Sequence, residues 1–133
     1  MEMWVIITSV VSACSTYFVA HELNQGGIRA SAGLSFIVGL VSYLSPGFVP
    51  AAMAEHLPVV FIGASFVGMS NKHVLPGYLD VALAGIIFGS LFLMSGVFFN
   101  GYGGGLGTVA CIAVVAVHGL RIYQKIRTAK RPD

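Results

Sequence analysis

The chain has 133 residues, of which 56% are hydrophobic and only 9% are charged, with a mean hydropathy of +0.87 and a formal net charge of +2. A water-soluble domain is roughly a quarter Asp, Glu, Lys and Arg, so seven basic and five acidic residues exclude a solvated globule of this size and leave lipid to cover most of the surface. The two cysteines, Cys14 and Cys111, sit inside apolar runs and form neither a disulfide framework nor a zinc motif.

A helix needs about 20 mainly apolar residues to cross the hydrocarbon core. The first predicted span is Met3 to Ala20, closed by the polar run from His21 to Gly27. The start Met-Glu-Met-Trp lacks the positive charge of a secretory signal, so an uncleaved span is expected. Val11-Ser12-Ala13-Cys14 has the outline of a lipoprotein processing box, but no basic segment precedes it and lipidation is not expected. The second span runs from Ile28 to Leu44 and stops at Ser45-Pro46-Gly47, where Pro and Gly break the helix. The third lies within 51–70 and is taken as 53–70. Its uninterrupted apolar core, Leu57 to Met69, is short of a full crossing, so it is either a shallow segment or one that recruits Ala51 to Ala54 and encloses Glu55 and His56. The fourth span is Tyr78 to Phe99, followed by a flexible turn from Asn100 to Gly105, and the fifth is Leu106 to Tyr123. The whole is read as one polytopic domain, 1–124, with a basic tail, 125–133.

Charge supports the count of five. With five crossings Arg29, Lys72, Arg121, Lys125, Arg127, Lys130 and Arg131 all fall on one side, while Glu2, Glu55 and His56 fall on the other. Positive charge in short loops marks the cytoplasmic side. The expected fold is therefore an all-α membrane protein with five transmembrane helices, its N-terminus outside and its C-terminus cytoplasmic, in a cell's inner or plasma membrane.

Small residues recur at helical spacing: Ser31, Ser35 and Gly39 in the second span, Ala64 and Gly68 in the third, Gly85, Gly89 and Gly96 in the fourth. Such faces allow backbones to approach closely, within one chain or between copies. Trp4, Tyr17, Tyr43, Tyr78, Tyr102 and Tyr123 lie near span ends, as an aromatic belt does.

Gly101-Tyr102-Gly103 has the letters of a potassium-channel filter, but it follows a full crossing and lacks the preceding pore helix and hydroxylated residues, so a turn is expected. The same glycines do not match a phosphate-binding loop. No nucleophile–base set or metal constellation occurs, so an enzyme is not expected and no cofactor is implied.

Ionisable groups inside a membrane are functional candidates. Asp80 opens the fourth span and His118 lies about one turn before Arg121; together with His21, Glu22, Lys72 and His73 they would cluster at an inner mouth. Asp80 with His118 is the pair suited to proton or ion handling, because a nearby carboxylate raises a histidine's pKa. The first span carries Ser9, Ser12 and Thr16 on one face, which either bond across helices or line a wet path. The leading expectation is a small channel or transporter-type protein that moves an ion or solute as an oligomer, with Ser9, Ser12, Thr16, Asp80 and His118 along its path. The alternative is a structural or accessory subunit of a membrane complex. The expected partners are the bilayer, further copies or other membrane subunits, and anionic lipid at the basic tail; nucleic acid is not expected.

Overall fold

The computed structural model describes residues 2–45, 47–95 and 104–131. It is all-helical among these: α1 (Glu2–Glu22), α2 (Gly27–Leu44), a single turn α3 (Ala51–Ala54), α4 (Leu57–Gly68), α5 (Tyr78–Ser95) and α6 (Gly105–Ala129). Four of them, α1, α2, α5 and α6, are long and apolar enough to cross a membrane. The third predicted span, 53–70, is instead split into α3 and the 12-residue α4. Pro58 accounts for the break. A proline has no N–H to donate and its ring collides with the carbonyl four residues back, here that of Ala54, the last residue of α3. The same proline is well tolerated in the first turn of α4, where it stands. Glu55 and His56 form the turn between the two pieces and are exposed, not enclosed.

At the other extreme, α6 runs six residues past the predicted end at Tyr123. Gln124 to Ala129 contains good helix formers and no Gly or Pro, so most of the basic tail is the last part of a helix. The expected Gly101-Tyr102-Gly103 turn, Tyr102 and Gly96 lie outside the described residues.

The short α4 is the hub. It packs against α1, α2, α5 and α6, which form an arc in the order α2, α1, α5, α6. Close contacts fix the directions. Gly85 and Gly89 of α5 face Val10 and Ile6 of α1, so these two helices are antiparallel. Gly68 faces Ala13, Thr16 and Tyr17, and Ser12 bonds Phe61, so α1 and α4 are parallel. Gly27 meets Met69 while Ser31 bonds Ser65, so α2 runs against α4. Arg121 reaches Asp80 at the start of α5, so α6 runs against α5. The five longer helices thus alternate in direction. Arg29, Lys72, Arg121 and the basic residues after it gather at the end where α1 and α4 finish, whereas Glu2, Glu55 and His56 sit at the other end.

The residue pattern is large outside and small inside. Phe36, Leu44, Met94 and Val115 are each at least 63% exposed, far more apolar surface than water tolerates. The interior is rich in small residues, Ala13, Ala64, Ala84, Ala110, Ala113 and the glycines of α4 and α5, set among valines and a few larger side chains, with Phe88 the largest fully buried one. This is how helices pack when solvent gives no drive to bury bulk and close backbone approach supplies the attraction. Gly68 is the tightest such point. A Cβ there would stand 2.5 Å from the Ala13 carbonyl oxygen and 2.7 Å from Thr16 Cβ.

Candidate functional site

The polar residues singled out in the sequence fall into two groups. Ser9, Ser12 and Thr16 are all fully buried on the face of α1 that meets α4 and α5. Ser9 donates back to the Val5 carbonyl at 2.7 Å, the usual resort of a mid-helix serine without another acceptor. Ser12 donates across the seam to the Phe61 carbonyl of α4, also at 2.7 Å. The Thr16 hydroxyl has no hydrogen-bond partner among the described residues and lies beside Gly68. A parallel arrangement joins α2 to α4. Ser65 donates its single proton to the Ile62 carbonyl at 2.6 Å, so in the 2.6 Å contact between Ser31 and Ser65 the donor is Ser31.

The second group lies at the basic end, around the connection from Met69 to Gly77. Three side chains from two helices bond its backbone carbonyls. Tyr17 of α1 donates from its hydroxyl to Leu75 at 2.7 Å. His21, one turn further on, donates from Nε2 to Ser70 at 3.0 Å. His118 of α6 donates from Nδ1 to Val74 at 3.1 Å. A carbonyl only accepts, so each ring nitrogen at these contacts carries the proton. Inside the connection, Asn71 accepts through its backbone carbonyl from Val74 and Leu75 and through its side chain from His73. Leu75 is wholly buried as a result. Tyr17 is flanked by His21 at 4.4 Å and Tyr78 at 5.2 Å between ring centroids.

Asp80 accepts from Arg121 Nη1 at 2.7 Å, with the side chains 18% and 40% exposed. Asp80 stands in the first turn of α5, where the helix dipole also favours a carboxylate. The structure therefore brings Asp80 and His118 to the same end of the molecule but gives them separate partners: the acid takes Arg121 and the imidazole takes the connection backbone. His118 and Arg121, three apart, share one face of α6 and act on neighbouring points of α5 and its lead-in.

Tyr17 is the participant that sequence reading placed in the aromatic belt. It is 2% exposed and bonded inside, while Tyr43 and Tyr123 are well exposed at the surface. The signal available was its spacing: Tyr17 and His21 sit four apart, on one stripe of α1. Among the described residues no group of three His, Cys, Asp or Glu side chains is placed to hold a metal ion. Chemically, the arrangement is a set of hydrogen bonds that ties α1 and α6 to the α4–α5 connection, with an ion pair joining α5 to α6. Compared with protein-family models, curated proteins and solved structures, the chain matches none.

Proposed function

We propose that this chain is a polytopic protein of a cell's inner or plasma membrane that crosses five times, with the Glu2 end outside and the basic end in the cytoplasm, and serves as a structural or accessory subunit of a membrane assembly. The alternating helix directions and the gathering of all seven Lys and Arg residues at one end support the orientation. The α3–α4 segment makes the third crossing, with the bilayer adapting to a short helix that other helices surround. Beyond Arg121 the helix α6 carries Lys125 and Arg127, with Lys130 just past its end, to the headgroups of anionic lipid.

One observation carries the choice of an accessory role. The polar groups best suited to a conduction path are engaged in contacts within the chain: Ser12 with Phe61, Ser31 with Ser65, Tyr17 with Leu75, His118 with Val74 and Asp80 with Arg121. Side chains held in this way brace a bundle. The test is flux in liposomes containing this protein alone. The reading expects no proton, cation or anion movement above empty liposomes under an imposed gradient, and sustained flux overturns it.

A second reading, a channel or transporter-type protein working as an oligomer, is favoured by the Thr16 hydroxyl, which is buried beside the α1–α4 seam without a partner among the described residues. A seam that opens to water would hydrate that group, and Ser9 and Ser12 lie on the same stripe. In that case flux is present and Thr16→Val lowers it. The orientation is tested separately. Cysteines placed at Gly104 and at Thr128, with Cys14 and Cys111 replaced by alanine, are expected to react with impermeant reagent from opposite sides, and labelling from the same side refutes five crossings.

A further inference from the structure

The end of the bundle opposite the basic cluster contains a cavity of about 640 Å³, and its origin lies in the length of α4. Twelve residues of helix are about 18 Å long and the 21 of α1 about 31 Å, at 1.5 Å per residue. Gly68 packs against Ala13, Thr16 and Tyr17, so α1 runs past α4 at both ends: the Met69–Gly77 connection lies beside its last turns and the cavity beside its first turns. The last turns of α5 form the facing wall, through Phe92 and Leu93, and Phe48, Val49, Pro50, Met53 and the exposed His56 border the opening above Leu57 and Val60. Nearly all of the lining is apolar. Thr8 and His56 are the exceptions, and neither side chain makes a hydrogen bond among the described residues.

We propose that this cavity binds a single-chain lipid with a hydrogen-bonding headgroup, of the fatty-acid class, whose tail lies between Trp4, Val60 and Phe92 and whose head meets Thr8 and His56. The volume is within the range of pockets that enclose one small organic ligand, 300–1,000 Å³, and suits one chain better than a two-chain phospholipid. The lining has the composition such sites use, an apolar wall with a few polar groups free to orient the ligand. An imidazole supplies an N–H donor to a carboxylate and a hydroxyl supplies a second. All seven Lys and Arg residues are at the far end, so the head is held by hydrogen bonds and not by a fixed cation. Trp4 and Phe48 are 60% and 90% exposed at the rim, which leaves a lateral way in from lipid. The proposal rests on the bundle lying in a bilayer.

The chain's single tryptophan is part of the wall, so its own fluorescence reads the site. The experiment places the full-length protein in nanodiscs of ordinary phosphatidylcholine and titrates with dibrominated stearic acid, bromine being a contact quencher. The expected result is saturable quenching of Trp4 that excess unbrominated stearic acid reverses. Val49→Phe, which intrudes on the cavity from the connection, is expected to weaken that quenching by about tenfold, and His56→Gln with Thr8→Val by a few-fold. Quenching that rises without saturation and is not reversed by the competitor, which needs only the wild-type chain, overturns the site. Nanodiscs of brominated phosphatidylcholine read the bilayer separately. Quenching there with no saturable response to the acid rejects the cavity alone, and no quenching there removes both the bilayer reading and the route of entry.

Discussion

At the basic end, side chains from α1 and α6 bond the backbone of the α4–α5 connection at Ser70, Val74 and Leu75, and an ion pair ties α5 to α6. At the opposite end the 47–56 segment meets α1 and α5 around a largely apolar cavity instead. Both connections follow the same kind of sequence, a hydrophobic run broken by Pro and polar residues. Held to α1 by Gly68 and the Ser12–Phe61 bond, α4 is outrun by α1 at both ends, and the difference lies in what fills each gap: a hydrogen-bonded connection at one and a largely apolar cavity at the other. A helix too short for its neighbours leaves one end closed by hydrogen bonds and the other open.

The contrast is broken most severely at Gly68. Gly68→Val places carbon against the Ala13 carbonyl and Thr16, both on a rigid helix, and is expected to destabilise by about 3 kcal/mol or more; loss of a folded, monodisperse species in detergent is the readout. Gly63→Ala should cost less, although its Cβ would also stand 2.5 Å from an atom, because that atom is the ring tip of Phe88 and side chains give way more readily than backbone. Tyr17→Phe removes the donor to Leu75 and leaves a buried carbonyl unpaired, an expected loss of about 1–2 kcal/mol in thermal or denaturant unfolding. Asp80→Asn turns a charge-assisted bond into a neutral one at a partly exposed site, so about 1 kcal/mol is expected, and the wild-type advantage should shrink as salt is raised. Ser12→Ala is expected to cost about 0.6 kcal/mol, the usual size of a hydrogen bond between helices in a membrane. At the open end His56→Gln is expected to leave stability unchanged, since its ring has no partner among the described residues to lose.

Much of this arrangement was legible in the residues. Four long apolar helices could be read from hydropathy, and the gathering of Arg29, Lys72 and Arg121 at one end of the bundle from their spacing. The small-residue faces at Ala64 and Gly68 and at Gly85 and Gly89 were also legible, and they meet α1. The split at Glu55–His56 had a cause in plain view, since Pro58 forbids a helix that includes Ala54, but a proline fits a helix start as well as a break, so the sequence did not choose. The roles of Tyr17, His21 and His118 were not legible. Their acceptors are backbone carbonyls of a connection, and a carbonyl has no signature in a sequence. The cavity was hidden for a related reason, because it depends on how far α4 falls short of α1 once the two are in register. Asp80 was correctly seen as a polar opening to its helix, but its partner was decided by the reach of Arg121, a longer side chain than His118.

Hydrogen–deuterium exchange on the protein in nanodiscs tests the asymmetry of the two ends most directly. Backbone amides of residues 69–77 are expected to exchange markedly more slowly than those of 47–56, since opening the first segment breaks three side-chain bonds from neighbouring helices and opening the second breaks none of that kind among the described residues. Equal protection of the two connections, or slower exchange in 47–56, would contradict it.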